Sequence, residues 1–133
     1  MNPEIAEYFD RLEQSLLEHQ AVSGYSLVRR EVTPTEGKVR IRAQLRGGGL
    51  LELFDHVTAG AEGKINRLRY AYHWQDARGR LIRRWDSAPH YPRLPYAPHH
   101  VHASDGSVEG IAQPPTLIDV LVQIEENLQE LAQ

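Results

Sequence analysis

Apolar residues fall at spacings of four and three near both ends of the chain and at a spacing of two through its middle, the pattern of a sheet bracketed by helices. Ile5, Phe9, Leu12 and Leu16 line one side of a helix predicted from about residue 3 to residue 19. Asn2 is placed to cap it, and Pro3 suits a first turn, where an N–H has no partner to lose. Leu117, Leu121, Ile124, Leu128 and Leu131 predict a second helix over residues 117–131, opened by Thr116 and Asp119 in capping-box order after two prolines. Both stripes are too short for a coiled-coil seam and read as faces packed on a sheet.

Between the helices, Val39, Ile41, Ala43 and Leu45 alternate with Arg40, Arg42, Gln44 and Arg46. A strand near residues 25–32 precedes this one, and Gly47 to Gly49 turn the chain into LLELFDHVTA. Leu68, Tyr70, Tyr72 and Trp74 then alternate with Arg67, Arg69, Ala71 and His73, and the turn at residues 76–79 returns the chain into RLIRRWD. Short turns between successive strands favour an antiparallel meander. The expected fold is therefore α+β: one antiparallel sheet of about five strands, both terminal helices on one face, the arginine-bearing face open, and residues 1–133 forming one domain.

The chain contains no cysteine, which removes disulfides and thiolate metal sites and fits a reducing cytosol. The acidic N-terminal segment is the reverse of a signal peptide, and no apolar run approaches the roughly 18 residues of a membrane span, so a soluble cytoplasmic protein is expected. Net charge is -3, but it is segregated: residues 1–23 carry -4, residues 24–102 carry +7 and residues 103–133 carry -6. Twelve of the fourteen cations in the middle segment are arginine, whose planar fork matches phosphate geometry.

The segment from Trp85 to His102 holds Asp86, four histidines and four prolines. Prolines at 89, 92, 95 and 98 fix φ and remove donors, which predicts an extended surface loop. His90, His99, His100 and His102 lie on it, with Asp86 and His73 on neighbouring strands. Two chemistries use such residues. Metal-independent RNA cleavage needs a base for the 2′-hydroxyl, an acid for the leaving 5′-oxygen and cations for the developing charge. Histidine can do either proton job, with Arg83, Arg84 and Arg93 beside it and Arg40, Arg42 and Arg69 holding phosphates farther away. A divalent-metal hydrolase could instead use His100, His102, Asp86 and His73, although an HxH pair is a weak metal signal. The first chemistry requires no cofactor. A third reading is a non-catalytic module for single-stranded nucleic acid, with Tyr70, Tyr72, Trp74 and Trp85 as stacking platforms. Gly47 to Gly49 is not followed by Lys-Ser/Thr and reads as a hairpin, not a phosphate loop.

The stretch YAYHWQDARGRLIRRWDSAPHYPRLPYAPHHVH resembles the TumE-type toxins of bacterial and archaeal toxin-antitoxin pairs. They share an arginine-aromatic-Asp strand, then Pro-His, then a His-His-x-His cluster. Ser87 and Val101 stand here where the family pattern has an Asn and a Lys, which removes one cation from the site. The resemblance implies growth inhibition and a cognate antitoxin, often a small DNA-binding protein. RNA as the target is inferred from the histidines and arginines.

Overall fold

The protein is described here by a computed structural model over residues 1–131. Helix α1 (Pro3–Glu18) begins where Asn2 Oδ1 accepts the Ile5 N–H at 3.1 Å. Helix α2 (Leu117–Leu131) begins with a reciprocal capping box, in which the Thr116 N–H donates to Asp119 Oδ2 and the Asp119 N–H to Thr116 Oγ1. Between them run β1 (Val22–Val32), β2 (Glu36–Leu45), β3 (Leu50–Ala59), β4 (Ile65–Gln75), β5 (Leu81–Asp86), β6 (His100–Ala103) and β7 (Val108–Gly110). All seven pair antiparallel in chain order. The apolar stripe of α1, and that of α2 as far as Leu128, join Val39, Ile41, Leu51, Leu53, Tyr72 and Trp85 in one core on one face of this sheet, while Leu131, expected in the stripe, is exposed.

The sheet has seven strands where about five were expected. The additional strands are β6, which opens within the histidine segment, and β7, which follows it, so that segment is only partly a loop. Its prolines end at Pro98, and His100 to Ala103 then recover every backbone donor, so β6 can pair with β5 and turn into β7. A second difference lies in β4. His56 pairs with Arg69 and Val57 with Arg67, so Leu68 is the extra residue of a β-bulge. The alternation slips there by one position. Leu68, expected inside with Tyr70, is exposed, and Arg67 enters the core face instead. Tyr70, Tyr72, Trp74 and Trp85 are buried on that face, so they are not available to stack on a nucleic-acid base.

Gly37 sets the approach of α1 to the sheet. A Cβ there would stand 2.5 Å from Ile5 Cγ2 and 2.9 Å from Phe9 Cε2, inside van der Waals contact with two fully buried side chains. Gly37→Ala is therefore expected to push α1 off β2 and lower stability by about 1–3 kcal/mol, as overpacking typically does. Chemical denaturation checks this; an unchanged midpoint would mean the helix shifts at no cost.

Candidate active site

Paired residues on neighbouring strands share a face, and on the face opposite the helices two rows cross the sheet. One row runs Glu52, His73, Arg84, His102 from β3 to β6, and the next runs Phe54, Ala71, Asp86, His100, Gly110 from β3 to β7. The strand order thus brings together Asp86, His73, Arg84, His100 and His102, residues spread over thirty positions of sequence.

His100 is only 2% exposed. Its Nδ1 lies 2.8 Å from the Pro98 carbonyl oxygen, which can only accept, so Nδ1 carries the proton and a neutral ring leaves its lone pair on Nε2. The His102 ring stands edge-on to it at 4.9 Å between centroids. Burial, and then the neighbouring His100, hold the His102 pKa below that of free imidazole, while Asp86 acts in the opposite direction. Asp86 is itself buried; one oxygen accepts the Ala88 N–H at 2.6 Å, the other the Arg84 Nε–H at 3.0 Å. Arg84 also donates toward His73 Nδ1 at 3.4 Å, and His73 Nε2 faces Gln75 Oε1 at 3.1 Å. A guanidinium can only donate, so His73 is the Nε2–H tautomer with both nitrogens engaged, which leaves it to orient Arg84.

The remaining candidates divide. His99 points to the other face, its ring stacked on Tyr70 at 5.8 Å and its Nδ1 3.1 Å from the Tyr70 hydroxyl. Burial and Arg67 lower the His99 pKa. His90 is exposed on the proline loop, near enough to depress His102 further. Arg40 and Arg42 lie on the open face but share Glu52, at 3.0 and 3.3 Å, and Arg40 also covers the Phe54 ring. Arg69 is exposed on the same face. Arg93 is exposed on the loop. Arg83 lies on the helix side, donating to Gln123 at 2.7 Å beside Trp85, apart from the histidine pair. Among the described residues, no three His, Asp or Glu side chains stand where they could hold one metal ion.

A family model, Toxin TumE, matches residues 10–132. The chain belongs to the TumE toxin family. No curated protein and no solved structure matches it. Among the described residues of this TumE-family chain, no helix is long and apolar enough to cross a membrane.

Sequence reasoning passed over Arg67, Asp55 and Tyr91. Arg67 was hidden by the bulge. Asp55 sits on β3 between Phe54 and His56, and its fully buried carboxylate accepts from the Tyr8 hydroxyl at 2.9 Å and the Tyr72 hydroxyl at 3.3 Å, with Arg67 at 3.8 Å. Arg67 donates to Tyr72 and to the Pro115 carbonyl and lies over the Tyr70 ring. Burial pushes the Asp55 pKa up to about 6, outweighing the lowering by Arg67 and the two tyrosines. The position of Tyr91 in the proline loop carries no periodic signal, but its ring packs edge-on against His100 and His102.

The shift of Asp55 has a sign. An acid whose folded pKa is raised contributes stability below its unfolded value, near 3.8, and loses it as pH rises through about 6. Relative to Asp55→Asn, the wild type of this TumE-family protein should lose about 2 kcal/mol between pH 4 and pH 6.5. Parallel melts of both proteins across that window check this; a constant difference would place the Asp55 pKa near its ordinary value.

Proposed function

We propose that this TumE-family toxin is a metal-independent ribonuclease acting in the cytoplasm, with His100 and His102 as its proton-transfer pair. The observation that carries the reading is the pair itself: two imidazoles 4.9 Å apart on the sheet face opposite the helices, beside an arginine held by Asp86 and His73. His102, kept neutral at pH 7 by its lowered pKa, accepts the proton of the 2′-hydroxyl. His100, entering the step protonated on both nitrogens, gives its Nε2 proton to the 5′-oxygen as the bond from phosphorus to that oxygen breaks, the Pro98 carbonyl supporting the charged ring through Nδ1–H. Arg84 faces the charge that builds on the phosphorus oxygens. Arg40, Arg42 and Arg69 hold phosphates farther along the strand, with Glu52 taking part of the charge of the first two. Membership of a toxin family implies a cognate antitoxin, and the basic open face suits an acidic segment of such a partner.

Because His100 is buried, His100→Ala would open a cavity, whereas Asn keeps a donor for the Pro98 carbonyl and lacks only Nε2. His100→Asn and His102→Ala are each expected to lower RNA cleavage by about 10²- to 10⁴-fold with RNA affinity retained. Cleavage by the wild type should persist in EDTA and fall on acidification along a limb below pH 6.5, as His102 takes up a proton. Cleavage assays over pH 4.5–8.5, with and without chelator, check all three. Loss in EDTA with recovery on Mn²⁺ or Zn²⁺ would replace this mechanism by a His/Asp metal site, and RNA binding without cleavage would make the protein a binding module.

A further inference from the structure

The proline loop, residues 87–99, does more than connect β5 to β6. Successive turns are closed by Leu94 N–H to the Tyr91 carbonyl, Ala97 N–H to Leu94 and His99 N–H to Tyr96. The loop lies back on the open face beside His100: Gly110, the β7 partner of His100, meets the Pro95 carbonyl so closely that no Cβ fits between them. One flank of the Tyr91 ring packs against the site, 5.0 Å from the His100 ring and 5.8 Å from that of His102. The residue is still 38% exposed, and it borders a largely apolar groove of about 350 Å³ lined by His90, Tyr91, Pro92, Arg93 and Leu94.

We propose that this groove is a nucleobase subsite, in which an unpaired base of the RNA stacks on Tyr91 and Arg93 holds the phosphate next to it. The proposal rests on the ribonuclease reading and adds where the substrate sits. The groove offers mainly carbon surface, so it recognises the face of a base and not its hydrogen-bonding edge, and the substrate is single-stranded RNA with weak base preference. Its volume lies at the small end of ligand sites, enough for one base and not for a duplex. Tyr91 touches both catalytic rings, so a base on it carries its ribose and phosphate to within one nucleotide of His100 and His102. The four prolines and the Gly110 contact hold the platform before substrate arrives, so little ordering is needed on binding.

The test uses the full chain and short 2′-O-methyl RNA oligomers with random flanks and a central 2-aminopurine, which cannot be cleaved by 2′-hydroxyl attack and whose fluorescence is quenched on stacking. Quenching is expected with wild type and with Tyr91→Phe. Tyr91→Leu should abolish it and weaken binding about 5- to 150-fold, the loss of one base–aromatic stack. Arg93→Gln should keep the quenching and reduce the salt dependence of binding by about one phosphate. Equal affinity and quenching for wild type and Tyr91→Leu would sink the subsite, as would no binding by wild type or equally tight binding of a duplex. If stacking depends on Tyr91 but the unmodified oligomer is never cut, the subsite stands and the ribonuclease reading fails; if the unmodified oligomer is cut while quenching and affinity are equal for wild type and Tyr91→Leu, the reverse holds.

Discussion

The buried carboxylate of Asp55 is the point through which the parts of this fold are tied. It accepts from Tyr8 of α1 and from Tyr72 of β4, and Arg67 beside it reaches the Pro115 carbonyl just ahead of α2. A carboxylate in this position is costly to desolvate, which is why its pKa rises, and only the convergence of two hydroxyls and a guanidinium makes it tolerable. Removing one partner of such a buried pair typically costs about 3–5 kcal/mol, because the other is left without compensation. The placement of both helices therefore depends on a polar centre set among apolar side chains.

With both helices committed to that side, the opposite face of the sheet is left to the site. Strand pairing alone sets Arg84 beside His102 and Asp86 beside His100. Side-chain hydrogen bonds then fix the chemistry of each group: the Pro98 carbonyl selects the His100 tautomer, and Arg84 with Gln75 selects that of His73. Charge balance on this face is uneven. Glu52 answers two arginines, and Asp86 answers one while facing a histidine, which leaves the face suited to a polyanion.

Most of the architecture was legible because it follows from periodicity. Both helices and their caps, the alternation in β2 and the placement of Asp86 beside the histidines could be read from spacing and strand order, with His73 one strand farther, across Arg84. What escaped has identifiable causes. A bulge leaves no mark in composition, so Arg67 read as solvent-facing and Leu68 as core. The prolines masked β6, and with it the alternation that sends His99 and His100 to opposite faces and buries His100. Arg83 and Arg84, adjacent in sequence, likewise divide between Gln123 of α2 and the site. Tyr91 meets the histidine pair through a tertiary contact that local sequence does not encode.

The unbroken order of the sheet, each strand beside its predecessor, has a consequence for synthesis on the ribosome. Early hairpins can pair as they emerge, since none waits for a distant partner. The histidine rows cannot. His100 and His102 gain their positions only when β6 has joined β5, and α2 covers the core later still. The nascent polypeptide is therefore without its paired histidine rows until β6 has emerged behind the five strands that precede it.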